Sequence, residues 1–430
     1  MSTYFDFVEE KAGVRCFKML SNGLEVLLLK DQIAPVVGFQ ITYHVGSRNE
    51  ATGHTGATHL LEHLMFKGSK NFNKEAGNNI DTMERYGAIL NATTWLDRTN
   101  YYMILPKDHL DKIIAIEADR MRDAFIAEKD RQDEMPVVRN EFEQGENNPI
   151  SALCKQIFAT VYQAHPYHHD TIGWRSDIEN VSIERLQQFY RDFYWPNNAT
   201  ITVVGDFDES TVLNSLQASF GHIPASAESM PEIYTQEPEQ EGERRLVLKR
   251  PAPGQAGGVC MTWRMCAGLD ADYMPLSVLS HILSEGKSSR MHKALVDTGL
   301  ALSYEIFVPA LKDPGVFFIY INLAPGTTHA QAEMATYKVL EEVIANGVSQ
   351  SEIAKAQRAV KVGHTFAADS IAARLSALNE AIAVGDWRFD LDYQDKFNKV
   401  TSADIQAVAK HYLREDWRTC GYFIPTGGEE

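Results

Sequence analysis

No run in this sequence comes near the roughly 18 consecutive apolar residues that a membrane-spanning helix needs, so no span is expected. The opening residues, MSTYFDFVEEKAGVRCF, lack a basic segment followed by an apolar one, and no secretory leader is legible. On its face the chain reads as cytoplasmic; a periplasmic protein whose leader had been removed would read the same. Cysteine is scarce: Cys16, Cys154, Cys260, Cys266 and Cys420 are odd in number, scattered, and form no C-x-x-C pair. That excludes a disulfide framework and a cysteine zinc knuckle. Cys260 and Cys266 share an apolar run and are expected in a core. Basic clusters are missing as well. With 41 Lys and Arg against 58 Asp and Glu, the net charge is −17. Such a chain offers no basic face to a nucleic-acid backbone, and that class of partner is set aside. The acidic surface serves solubility, and in an encounter it favours cationic peptides.

What is present describes an ordinary soluble globular protein. The 430 residues are 44% hydrophobic and 23% charged, too long a chain for one core, so two or more domains are expected. LEVLLLKD and PVVGFQITYHVGS read as strands, HTGATHLLEHLMFKG as a helix, and RYGAILNATTW and RTNYYMILP as strands again. Residues 107–145 are mostly helical in period, a further helix spans about 182–194, and NATITVVGDF is a strand. The stretch ASAESMPEIYTQEPEQEG has little periodicity and is rich in Pro and Glu, which marks a linker. The expected domains are therefore 1–228 and 244–430, joined by 229–243.

The second part reads as a worn copy of the first. VVGFQITYHVG corresponds to AGGVCMTWRMC, THLLEHLMFKG to LSVLSHILSEG, and VSIERLQQFYRDFY to VTSADIQAVAKHYL, in the same order and at offsets of 218 to 220 residues. In this pairing His59 faces Ser277, Glu62 faces Ser280, and His63 faces His281. The copy keeps the helix and loses the chemistry, so His281 is read as structural.

His59-Leu60-Leu61-Glu62-His63 carries that chemistry. Residues four apart share a helix face, so two imidazoles can point at one ion, with Glu62 beside that face. A hydrolytic zinc needs three protein ligands and a vacant position, where a water is acidified towards about pKa 7 and a carboxylate can take its proton. The pentapeptide alone does not define a site, because two satisfied histidines on a half-buried helix would read alike. A third ligand should be a carboxylate from another helix. DEMPVVRNEFEQGEN offers Glu134, Glu141, Glu143 and Glu146. Glu134 and Glu141, seven apart, share a face, so one could ligate and the other orient a ligand; spacing does not choose between them.

These motifs resemble the pitrilysin/insulinase-type zinc metallopeptidases, in which H-x-x-E-H inverts the commoner H-E-x-x-H. The similarity extends over nearly the whole chain and is greatest to the short two-domain members, a group that includes mitochondrial-processing-peptidase-like and bacterial heterodimeric peptidases. The resemblance implies one zinc ion held by His59, His63 and Glu141, with Glu62 as catalytic base and Glu134 in a supporting catalytic role. Glu141 lies in VVRNE, 78 residues after His63, where the family places its ligand. Pro136, between the two glutamates, is expected to kink their helix. The family strand G-x-x-x-N-A-x-T matches GAILNATTW, implying that Asn91, Ala92 and Thr94 bind substrate backbone as an added strand.

One departure from the family pattern bears on partners. Members often carry an Arg and a Tyr seven apart in the second half, as in L-R-x-x-x-G-L-A-Y. Here ALVDTGLAL puts Leu295 and Leu302 at those positions, with Tyr304 two residues late. The resemblance thus implies a heterodimer whose homologous partner subunit supplies the Arg and Tyr. The expected fold is α+β: two homologous domains, each an antiparallel-rich mixed sheet with helices on one face, together half of a clamshell. The expected function is endopeptidase cleavage of small or unfolded peptides in an enclosed chamber; a noncatalytic scaffold or a peptide-binding relative is the alternative. The loop AHPYHHD, with His165, His168 and His169, lacks a completing ligand at helical spacing and is read as a surface turn.

Overall fold

The computed structural model describes residues 3–252 and 254–427. In chain order, the first stretch contains β1 (Phe5–Lys11), β2 (Val14–Met19), β3 (Glu25–Lys30), β4 (Val36–Tyr43), α1 (Ala57–Leu64), β5 (Ile89–Thr94) and β6 (Thr99–Pro106). Then come α2 (Leu110–Asp123), α3 (Glu128–Asn147), α4 (Pro149–Val161), α5 (Arg175–Asn180), α6 (Ile183–Phe193), β7 (Ala199–Gly205) and α7 (Glu209–Phe220). After a stretch without helix or strand follow β8 (Arg244–Pro251), β9 (Gly258–Arg264), α8 (Tyr273–Ser284), β10 (Ala301–Phe307) and β11 (Val316–Leu323). The chain continues through α9 (His329–Asn346), α10 (Gln350–Ala368), α11 (Ile371–Val384), α12 (Phe389–Lys399), α13 (Ser402–Tyr412) and β12 (Arg418–Thr426).

Two sheets result. The larger runs β1-β2-β3-β7-β4-β6-β5 and the smaller β10-β11-β9-β12-β8. Read backwards, the smaller is β8-β12-β9-β11-β10, which matches β3-β7-β4-β6-β5 strand for strand. The single parallel pair falls at the same place in each, β3 with β7 and β8 with β12. The α+β class and the internal repeat are thus visible in the topology. β1 and β2 are an extension of the first sheet that the mostly polar FDFVEEK did not announce.

The chain divides into two compact units that are not contiguous in sequence. One takes the chain up to Phe142, with His169–Tyr234 and Phe366–Leu391; the other takes Glu143–His168, Thr235–Thr365 and the chain from Asp392 on. The helices that change sides are equivalent in the repeat: α11 lies on β4 and β7, and α4 on β9 and β12. Glycine makes both seats. A Cβ on Gly38 of β4 would lie 2.5 Å from Ile371 Cγ2 and 2.6 Å from Leu375 Cδ1, and one on Gly421 of β12 would lie 2.8 Å from Ile157 Cδ1. Helices therefore cover the first sheet on both faces, not on one. Phe39, Ile41 and Tyr43 pack into the core with α1, α2, α6 and α7, while Val14, Cys16, Leu27 and Val204 pack with Leu375, Leu378 and Ile382 of α11. Burial from both sides explains why β4 and β7 lack the alternation of a half-exposed strand.

Cys260 and Cys266 are buried, as their apolar run suggests. The histidine loop is a correction: His165 and His169 are buried, 4% and 2% exposed, rather than on a surface turn. A carboxylate holds His165, and the main-chain carbonyl of Asp170 holds His169 Nδ1 at 3.1 Å. His165 Nε2 lies 3.0 Å from Asp313 Oδ2, and His169 Nδ1 lies 3.6 Å from Glu50 Oε2.

Candidate metal centre

Helix α1 is short, and its place is set by burial. Leu60, Leu61 and Leu64 are fully buried, at roughly 2 kcal/mol each, which leaves His59 and His63 half-buried on the remaining face. The rings meet edge to face with centroids 4.8 Å apart. Helix α3 runs on through Pro136, and it brings both candidate glutamates to the histidines. Glu141 Oε2 lies 3.5 Å from His59 Nε2 and 3.6 Å from His63 Nε2. Glu134 Oε2 lies instead 3.1 Å from His63 Nδ1, on the far side of that ring.

This arrangement fits a metal ion. Tetrahedral ligands about 2.1 Å from zinc stand roughly 3.4 Å apart; the carboxylate oxygen is close to that spacing from both nitrogens, at 3.5 and 3.6 Å, and all three atoms lie within 4.8 Å of one another. No second such group occurs among the described residues. Burial, with His63 beside it, pushes the His59 imidazole down to about 4, so the ring is neutral at neutral pH with a lone pair to donate. Glu141 is exposed, so solvent reaches the cluster. Glu143 and Glu146, also offered by the sequence, are not in it; Glu146 pairs with Lys155 and Arg250.

The neighbouring carboxylates differ in environment. Burial raises the Glu62 carboxyl above the usual range, against the opposing hydrogen bond that Thr94 Oγ1 donates to Glu62 Oε2 at 2.5 Å. Burial also acts on Glu134, but hydrogen bonds from Lys67 and His63 outweigh it and hold that carboxyl low. Its Oε1 takes the Lys67 ammonium. Lys67, one turn after His63, was not singled out from the sequence, although its helical spacing could have flagged it.

Strand β5 ends its sheet. Trp95 N–H donates to Arg98 O at 2.9 Å, so by antiparallel alternation Asn91 and Thr93 turn their main-chain groups towards β6. Those of Ala92 and Thr94 face the free edge. The three residues taken from the strand motif have different surroundings. Ala92 is buried, Thr94 is bound to Glu62, and the exposed Asn91 accepts the Ala92 N–H on its Oδ1 at 2.9 Å.

Around the equivalent of the family's Arg and Tyr, Leu295 is fully buried while Leu302 is exposed on β10. The Tyr304 hydroxyl is engaged by Ser289 Oγ at 2.9 Å and Ser284 O at 3.3 Å. In the repeat, Ser277 Oγ meets the Tyr393 hydroxyl and His281 packs edge-on against Phe397, so no ligand set survives there.

Two repeated α+β units with a His, His, Glu cluster in one of them define a metallopeptidase-like class of protein. The chain belongs to the insulinase family, peptidase family M16. Residues 25–174 match the model described as Insulinase (Peptidase family M16), and residues 180–360 match that of the Peptidase M16 inactive domain. It is 30% identical over 413 residues to the zinc protease PqqE of Helicobacter pylori, covering 94% of this chain and 92% of that one. It is 24% identical to a probable mitochondrial-processing peptidase subunit beta of Schizosaccharomyces pombe, covering 92% and 88%. Among solved structures, a protease from Helicobacter pylori superposes with a TM-score of 0.90 at 28% identity, over 96% of this chain and 99% of that one. A peptidase M16 inactive domain from Pseudomonas fluorescens shares the fold at a TM-score of 0.84 and 17% identity, covering 97% and 99%. Among the described residues no helix is long and apolar enough to cross a membrane.

Proposed function

We propose that the chain is a zinc-dependent endopeptidase acting on small or unfolded peptides, with one zinc held by His59, His63 and Glu141. The observation that carries this reading is the convergence of those three ligand atoms beside a buried Glu62 that is not one of them. Bound there, zinc would supply Lewis acidity to a scissile carbonyl and acidify the attacking water. Glu62, held by Thr94, takes the proton of that water and delivers it to the leaving amide nitrogen. Glu134 orients His63 through Nδ1, leaving Nε2 for the metal. The free edge of β5 takes an extended substrate as an added strand, which holds peptides with little regard to sequence and suits chains that are not folded.

A homologous partner subunit supplies the Arg and Tyr that Leu295 and Leu302 replace, completing an enclosed chamber. One relative, a probable mitochondrial-processing peptidase subunit beta, is itself one subunit of a peptidase, which accords with this. The inactive-domain match over the second repeat supports a second reading, a noncatalytic or peptide-binding relative; the intact ligand set weighs against it. Metal analysis and peptide-cleavage assays decide between them. The isolated chain is expected to carry one zinc and to cleave peptides only when the partner is added. Absence of stoichiometric zinc would overturn the enzyme reading, and full activity of the lone chain would overturn the heterodimer.

A further inference from the structure

The two histidines are held in different ways. His63 is oriented by a partner of its own, Glu134. His59 Nδ1 is buried and has no hydrogen-bond partner among the described residues. The position of the His59 ring therefore follows from the position of α1 itself. That helix has eight residues, and its N-cap is Gly56, which has a φ of +86° and no side chain with which to cap it.

Glu50 does the capping from outside the helix. Its Oε2 accepts the Gly56 N–H at 2.8 Å and its Oε1 the Thr58 N–H at 2.7 Å, so one carboxyl group grips the start of the helix on both sides of Ala57. Thr58 directly precedes His59. The Glu50 side chain is fully buried, with His169 Nδ1 3.6 Å from Oε2. Burial pushes the Glu50 carboxyl up to about 8, against the N–H groups of Thr58 and Gly56, which favour the ionised form; the grip rests on the geometry of two oxygens that each accept a main-chain N–H. The approach to the helix is fixed as well. Asp177 Oδ2 accepts from Gly53 N, Thr55 N and Thr55 Oγ1 at 3.1, 3.2 and 2.8 Å. A Cβ on Gly173 would lie 2.4 Å from the Thr55 carbonyl carbon. The start of α1 thus has little room to shift or turn.

We infer that Glu50 is a positioning residue of the metal centre, which places His59 against Glu141 by fixing the first turn of α1. The inference rests on the zinc reading above and adds to it a residue that never touches the ion. The test compares the parent chain with Glu50→Gln, with Thr58→Pro, and with Ser182→Ala. Thr58 is the second residue of α1, so proline there breaks no intrahelical hydrogen bond and deletes one of the two N–H groups that Glu50 accepts. Ser182 caps α6 and serves as a control for simple loss of a helix cap. Three measurements are made: zinc affinity by chelator competition, the visible spectrum of the cobalt-substituted chain, and the melting temperature of the metal-free chain.

Expected for Glu50→Gln and Thr58→Pro are zinc dissociation constants raised about 10-fold or more and an altered cobalt spectrum. Ser182→Ala should lower the melting temperature and leave both metal readouts at parent values. A folded Glu50→Gln with the parent's zinc affinity and cobalt spectrum overturns the inference. So does a Ser182→Ala chain with the same loss of zinc affinity. Should Glu50→Gln not fold, Thr58→Pro decides by the same criteria. A parent chain without zinc sinks the function reading as well, whereas a zinc-binding parent with an indifferent Glu50→Gln sinks this inference alone.

Discussion

Glu134 stands 3.1 Å from the Nδ1 of His63 while Glu141, two turns further along the same helix, stands 3.6 Å from its Nε2. One imidazole is held from both sides by two carboxylates of α3. Their roles should separate on substitution. Glu134→Gln is expected to weaken zinc binding about 10-fold, as loss of an outer partner does, whereas Glu141→Gln should abolish stoichiometric binding. Chelator competition on the purified variants reads the difference, and equal losses would contradict this division of labour.

Glu62→Gln should retain zinc and lose turnover by about 10²- to 10⁴-fold, the usual size of a general-base contribution. Metal content and kcat measured on the same preparation check it. Loss of zinc from this variant would mean that Glu62 has been misassigned.

The pH dependence turns on Glu62. Burial raises its carboxyl in the metal-free chain and a bound cation would lower it, so the acid limb of kcat/KM is read relative to the parent. Thr94 donates to the ionised form, and Thr94→Val removes that donor. The limb should then move to higher pH than in the parent, with activity lost mostly on the acid side. A profile that merely scales down at every pH would show Thr94 acting only through substrate binding.

Glycine at the helix seats gives a stability prediction. Gly38→Ala should cost about 1–3 kcal/mol, since its methyl would meet Ile371 and Leu375 at 2.5 and 2.6 Å; Gly421→Ala should cost less. Denaturant unfolding of the whole chain measures both.

Arg290 and Glu352 form an ion pair at 2.6 Å, and the guanidinium holds the Glu352 carboxyl down to about 2. Because the folded value is depressed, the stabilisation is complete above the ordinary glutamate value of 4.5 and disappears as pH falls towards about 2. Glu352→Gln should therefore cost about 1 kcal/mol at neutral pH and nothing at the acid end. Thermal melts across that range give the slope.

How far the sequence could be read depended on distance along it. His59, Glu62 and His63 were legible because one helical turn brings them together, and the repeat because order and offset survive in strands and helices. The choice between Glu134 and Glu141 was not open to spacing, since both lie on one face and both reach His63, from opposite sides of the ring. Glu50 left no local signal: it caps a helix that starts at Ala57, seven residues later, outside any capping pattern. The exchange of α4 and α11 was illegible for a similar reason. Amphipathic helices do not state which sheet they cover, and the receiving strands mark the place only with Gly38 and Gly421.

That exchange has a consequence for biogenesis. Residues 149–161 are made with the first repeat and used by the second unit, while residues 371–384 are made near the end and used by the first. On the ribosome, the sheet beside the metal helix waits with one apolar face bare until almost the entire polypeptide has emerged. A chain severed at residue 228 would release two halves, each missing a wall, and neither should fold alone.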